Sequence, residues 1–339
     1  MRVLHFSAMK KNTTIASIIL GFLLAGGIQA SADTFGSGDN QFSIDFVTVE
    51  NPGNGNDAGA GGGAYSSPYG KVDYIYKMGV HEISFGQVKK AIEAGLSNVE
   101  SVSAAQQQTW QWRDTQPAAF VNWYEAAAFV NWLNTSNGHQ AAYNLTWSGS
   151  SWSMTLWNNG DAWQQGGENL YRNKNTYYFL PSENEWYKAA YHKNDGTTSN
   201  YWDFATASNN IPDGIDFNGD TAFEAVYNQG YNIGLPNDVD NVGLASAYGT
   251  YGQTGNQLEI VESAYDGTNI SATEGRTRRG FDFANTETYQ RSSFRGTIAP
   301  TSESISTGFR VAAVPESSTW VLLIMAAAAI FGIRKFRKA

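Results

Sequence analysis

Three short stretches carry the same helix-start chemistry, and little else in the chain is helical. In "SFGQVKKAIEAG" Ser84 stands three before Gln87, in "NWYEAAAFVNWLN" Asn122 stands three before Glu125, and in "SENEWYKAAYHK" Ser182 stands three before Glu185. Each is a capping-box pattern, in which a small polar side chain accepts from the third helical amide and the third side chain reaches back. Gly95 and Gly138 supply stop signals after the first two. In the second, Trp123, Ala127 and Val130 share one face, and Ala126, Phe129 and Leu133 widen it, so that helix is expected to be deeply buried. The intervening sequence is turn chemistry and short apolar runs. "NPGNGNDAGAGGGAYSSPYG" is loop composition with no phosphate-binding frame, and "DYIYKMGVHEI" alternates like a strand that feeds a helix. "AAYNLTWSGSSWSMTLW" and "TYYFLP" read as strands with Ser-Gly and Asn-Asn-Gly turns, and "RTRRGFDF" and "STGFRVAAV" as short strands. From Asp213 to Asp240 the chain is Asn-, Asp- and Gly-rich and reads as long ordered loop. Short helices, scattered strands and long loops define an irregular α+β domain; neither a parallel sheet nor a helix bundle accommodates them.

Both ends look unlike this body. "MKKNTTIASIILGFLLAGGIQASA" has two lysines, an apolar core and an Ala30-Ser31-Ala32 small-residue site, the pattern of a secretory signal peptide over residues 1–32. The other reading is an N-terminal membrane helix, for which the apolar core is short. At the other end, Pro315-Glu316 precedes an apolar run from Trp320 to Ile333 and four basic residues. Between the ends lies a body, residues 33–314, that is long enough for one large domain.

Charge and cysteine narrow the function. Three of the 22 basic residues precede Asp33 and four follow Val314, whereas 30 of the 31 acids lie between, so the body carries a net charge of about −15. Phosphate repulsion then argues against nucleic acid as a partner. The chain holds no cysteine, which excludes a thiolate metal site and a cysteine nucleophile. The body's three histidines, His81, His139 and His192, are dispersed without metal spacing.

Five blocks in order, "PAAFVNWYEAAAFVNWLN", "YFLPSENEWYKAAY", "YGTYGQTGNQLEIVE", "RTRRGFDF" and "STGFRVA", resemble the successive signatures of the formylglycine-generating, sulfatase-modifying-factor family. The resemblance covers roughly residues 42 to 313 and implies a C-type-lectin-like fold, mixed α and β with little regular structure. Arg278, Arg279 and Arg310 match family positions, where internal ion pairs are expected, and Trp123 and Trp186 match core positions. Family members that make formylglycine use a pair of cysteines to bind copper and activate oxygen. Here the corresponding region reads "ANTETYQRSSFRGTIAPTSESI", so the family's copper chemistry is absent and no catalytic residue is assigned. Tyr289, Arg291, Ser293 and Arg295 of this region are candidates for a ligand groove; loop-structural roles are the other reading.

The family also implies calcium. Matched residue by residue, one site falls on Gly255, Gln257 and Glu259, with Gly252 where the family has a side-chain ligand. A second falls on Asn218, Asp238 and Asp240 of the acidic loop, for which simple solvation is the alternative. Since calcium takes six to eight oxygens, the first set is short of ligands. Trp147, Trp152, Trp157 and Trp163 lie in a turn-rich insert, either pairing across hairpins or presenting rings to sugars.

The tail "VPESSTW…RKFRKA" resembles the PEP-CTERM sorting signal of Gram-negative exopolysaccharide producers, with Ser317 in place of the usual second proline. That resemblance implies a sorting peptidase of the exosortase type as partner, brief residence in the inner membrane, and release over residues 315–339 to the cell surface or matrix. A plain C-terminal anchor is the alternative. The expectation is an exported, non-catalytic binding module with an extracellular polysaccharide as partner. Set against it are a cysteine-independent enzyme on the same scaffold and a structural matrix protein.

Overall fold

The sheet that organises the domain takes in both its first strand and its last. The computed structural model describes residues 30–57, 59, 68–164, 169–215, 222–229 and 234–315. The apolar cores of both termini and Asn218 lie outside the described residues, and among the described residues no helix is long and apolar enough to cross a membrane.

Strands β1 (Ala30–Phe35) and β2 (Phe42–Val49) form a hairpin in continuous register from Ala30 opposite Val47 to Phe35 opposite Phe42. Phe42, Ile44 and Phe46 face the core while Ser43 and Asp45 face out, the period-2 alternation of a half-buried strand. Gly36 is required at the corner: its φ is +70°, and a Cβ there would sit 2.4 Å from the Asn40 carbonyl oxygen. The chain continues through β3 (Tyr76–Gly79), α1 (Phe85–Glu93), α2 (Ala104–Trp110) and α3 (Trp123–Ser136). Two small hairpins follow, β4 (Asn144–Trp147) with β5 (Trp152–Thr155) and β6 (Ala162–Trp163) with β7 (Asn169–Asn173). After β8 (Tyr178–Phe179) and α4 (Glu183–Tyr191) comes the long loop region. It leads to β9 (Leu258–Ala264), β10 (Arg276–Arg279), β11 (Gly296–Ile298), β12 (Thr307–Gly308) and β13 (Ala312–Ala313).

The sheets are a five-stranded one in the order β1-β2-β3-β13-β8 and a four-stranded one in the order β11-β10-β9-β12. The expected single strand "STGFRVAAV" is two, because the chain crosses from one sheet to the other over Phe309–Val311. Phe309 and Val311 enter the main core while Arg310 is buried between the sheets.

All three expected capping boxes are formed, with Ser84, Asn122 and Ser182 accepting from the amides of Gln87, Glu125 and Glu185. Gly95 and Gly138 adopt φ of +109° and +76° just past the ends of α1 and α3. Helix α3 is the hub of the core: Trp123, Ala126, Ala127, Phe129, Val130 and Leu133 are fully buried. Helix α2 escaped the sequence reading although Ser103 and Gln106 form a fourth box; it buries no residue, so no apolar period announces it. Strand β9 was missed for the opposite reason. Every residue of "LEIVESA" is buried, including two glutamates, which removes the alternation that marks a strand.

Candidate functional site

Around β9 the interior is held by three buried charge networks. Both carboxylate oxygens of Glu259 are engaged: Oε2 accepts from Arg310 Nε at 2.6 Å and from Trp186 Nε1 at 2.7 Å, and Oε1 accepts from Arg310 Nη2. Arg172 donates to Glu262 through Nε and Nη2 at 2.8 and 2.7 Å, and to Glu185 through Nη1 and Nη2 at 2.9 and 2.8 Å. Glu183 lies between Arg279 and Arg295, accepting from their Nε atoms at 2.8 and 2.9 Å. Buried charges are tolerated only when paired and hydrogen-bonded, and these are. The family-position arginines Arg279 and Arg310 thus form internal ion pairs; Arg278 donates to the Thr307 hydroxyl at 2.9 Å.

The candidate calcium residues are placed as follows. Gly255, Gln257 and Glu259 are all buried on the approach to β9, and a guanidinium already holds the Glu259 carboxylate, so this set does not form an oxygen cage. Gly252 has φ +74°, and a Cβ there would stand 3.0 Å from Glu82 Oε2: a carboxylate from the β3–α1 connection fills the space a side chain would need. Glu82 Oε2 accepts from Asn256 Nδ2 at 2.7 Å, and the Gln257 backbone amide also donates to the carboxylate. Burial first, then the Glu259 charge, push the Glu82 carboxyl well above the usual carboxylate range. Asp238 accepts from Arg113 Nη2 at 2.7 Å, and Asp240 is exposed two residues on. Among the described residues no group of three His, Asp or Glu side chains is arranged to hold a metal.

The groove candidates divide: Tyr289, Arg291 and Ser293 reach the surface, whereas Arg295 turns inward. Where the family's cysteine pair would sit, Tyr289 and Phe294 pack edge to face at 5.2 Å, and Phe281 joins them at 5.4 and 5.8 Å. Tyr289 is 42% exposed. Phe281 directly follows the Arg279-Gly280 end of β10 and has φ +54°, a left-handed backbone that turns the chain toward Tyr289 and Phe294. Arg291 pairs with Asp203 at 3.2 Å and stands over Phe204 at 5.1 Å, and Ser293 is half-buried. Arg295 is spent internally on Glu183 and stacks over Tyr265 at 4.0 Å. The sequence singled out Tyr289 for its polarity; Phe281 and Phe294, which complete the strip, were overlooked because isolated aromatics in a loop carry no period.

The tryptophans divide by role. Trp123 and Trp186 are fully buried. Trp147 and Trp152 are direct cross-strand partners with ring centroids 5.2 Å apart, the hairpin-pairing reading. Trp157 donates to the Ala142 carbonyl at 2.9 Å, and Trp163 walls a cleft described below.

Fold and site together define a mixed α+β domain whose strands and helix α4 are tied by buried arginine–glutamate pairs, with a partly exposed aromatic cluster. The model of the FGE-sulfatase family, the sulfatase-modifying factor enzyme 1-like domain, matches residues 66–314, and the chain belongs to that family. Among solved structures it is similar to Treponema denticola variable protein 1, with 19% identity, a TM-score of 0.57 and coverage of 84% of this chain and 99% of that one. It is also similar to PvdO from Pseudomonas aeruginosa (15% identity, TM-score 0.51, 84% and 98% covered) and to CarF (17%, 0.50, 80% and 99%). These likenesses establish the fold. No curated protein matches the chain by sequence.

Proposed function

We propose that this chain is an exported binding module on the sulfatase-modifying-factor scaffold, recognising an extracellular polysaccharide at the cell surface or in the matrix. The observation that carries the reading is the Phe281–Tyr289–Phe294 strip in the segment where the family's cysteine pair would sit. Partly exposed rings offer apolar surface to sugar rings, and covering about 20–50 Å² of ring at about 25 cal/mol per Å² is worth roughly 0.5–1.3 kcal/mol. The charged groups around the strip support binding over catalysis: Arg291 is paired with Asp203, and Arg295 with Glu183. The lack of cysteine removes the family's copper chemistry from this chain. The signal-like N-terminus and sorting-like tail support the extracellular address, with an exosortase-type peptidase acting on the tail.

A glycan array probed with the purified protein tests this. Saturable binding to at least one extracellular glycan is expected, weakened roughly two- to tenfold by Tyr289→Ala, the worth of one aromatic contact. Binding to no glycan sinks the reading, and turnover of a bound glycan replaces it with the enzyme reading.

A further inference from the structure

A second concave feature lies at the head of α4. That helix start, the β6–β7 hairpin, residues 69–74 and the turn after β9 enclose a cleft of about 310 Å³, the lower end of the range for small-ligand pockets. One wall is aromatic and rigid. The Trp163 ring meets Tyr74 edge-on at 5.3 Å and 80°, and the Arg172 guanidinium stands 5.5 Å from it, itself pressed on Phe179 at 3.7 Å. Tyr74 is fixed in turn by donating to Glu185 Oε1 at 2.7 Å.

The charges at the floor cancel only as a set, three arginines against three glutamates. Arg172 is held by Glu185 and Glu262, and Glu183 by Arg279 and Arg295. At the rim, Lys71 has Asp73 at 3.5 Å. No charge is left over to select an ionic ligand. Neutral donors remain. The Oδ1 atoms of Asn184 and Asn269 are committed, accepting from the Gly70 amide at 3.0 Å and the Ala264 amide at 2.8 Å. Their Nδ2 groups are therefore oriented by the fold, and both residues line the cleft. The Trp163 Nε1 is buried against the Tyr74 hydroxyl, so the indole is held in place and its N–H reports on the wall. A flat apolar wall faced by oriented neutral donors matches a ligand with a flat apolar face and an equatorial rim of hydroxyl acceptors.

We propose that this cleft is a saccharide subsite for one neutral sugar ring, which packs on Trp163 and accepts from the Asn184 and Asn269 amides. It is a different site from the Phe281–Tyr289–Phe294 strip. The probe is nuclear magnetic resonance of the isotope-labelled full chain titrated with cellotetraose, maltotetraose and mannotetraose, with an oligogalacturonate as the anionic arm. The Trp163 indole N–H signal, assigned by its loss in Trp163→Phe, is expected to shift saturably with a neutral tetraose. Asn184→Asp keeps the acceptor for Gly70, suits the first turn of a helix and removes the amide donor. It is expected to weaken binding roughly three- to tenfold, the worth of one neutral hydrogen bond, without loss of thermal stability. If no neutral tetraose moves the Trp163 signal, or only the oligogalacturonate does, the proposal fails. Because the readout is Trp163 itself, its outcome is independent of whether the Tyr289 strip binds.

Discussion

At the residue scale, the region around Glu259 shows how one substitution in a family pattern is accommodated. Glycine at position 252 removes a side chain, and Glu82 moves a carboxylate into that space. The result is two glutamates near one arginine, Arg310, with Glu259 taking the direct bonds and Glu82 left with the neutral donors of Asn256 and the Gln257 backbone. Glu82 therefore holds its proton more tightly folded than unfolded. The sign follows: its stabilising contribution is full below the unfolded value of about 4.3 and is lost as pH rises through the elevated folded value. Glu82→Gln keeps the shape and the Asn256 contact without an ionisable proton. The variant and the parent are expected to unfold alike in urea near pH 4, with the variant gaining as the pH is raised toward about 9. A variant that loses ground on the parent as the pH rises would mean that the Glu82 carboxylate is stabilised in the folded state.

At the element scale, capping boxes of the same chemistry do different work according to what their helices bury. Helix α3 forms the hub of the core, so its cap is tied to global unfolding. Asn122→Ala is expected to lower the unfolding free energy by about 1 kcal/mol in urea. Helix α2 buries no residue, and Ser103 is the main thing that starts it. Ser103→Ala is expected to speed amide exchange within Ala104–Trp110 while leaving the global midpoint in place, since local opening need not follow global unfolding. Equal global losses from both variants would contradict this division. The caps were legible in the sequence because a box needs only residues three apart. The strands were less so: β9 is buried on both faces and shows no alternation, while β8, β12 and β13 lie inside the strand-like runs "TYYFLP" and "STGFRVAAV" but are only two residues each, their bounds set by neighbours.

On the scale of the whole molecule, the last strand is an interior one. β13 pairs with β3 on one side and β8 on the other, and the Val314 amide donates to the Tyr177 carbonyl at 2.9 Å. The Pro315-Glu316 step therefore follows directly on a locked strand, so removal of the tail beyond it leaves the sheet whole. β1 is an edge strand, and a cut after Ala32 would leave Asp33–Phe35 still in register with Phe42–Ile44. We propose that both ends are removed during export. With one epitope tag after Phe35, in the β1–β2 turn, and another after Ala339, the mature surface or secreted protein is expected to keep the first and lose the second. Both tags on a mature, membrane-embedded species would instead mean a permanent anchor. An apolar run of 14 residues could make at most about 21 Å of helix against a hydrocarbon core of about 30 Å, a length that suits a transient span.

The sequence by itself determined what depends on near neighbours and on composition. Ser84, Asn122 and Ser182 set the starts of three helices, Gly95 and Gly138 the ends of the first two, and the absence of cysteine the loss of thiol chemistry. The ordered blocks were enough to anticipate the family and its irregular α+β fold. Tertiary structure alone decided which charge meets which. Glu259 finds Arg310 across 51 residues, Arg172 finds Glu262 across 90, and Phe281, Tyr289 and Phe294 meet only because a left-handed turn at Phe281 brings them together. Helix caps are local hydrogen bonds and can be read at fixed spacing. The partner of a buried charge is chosen by which segments the two sheets bring within reach, and no spacing in the chain records that choice.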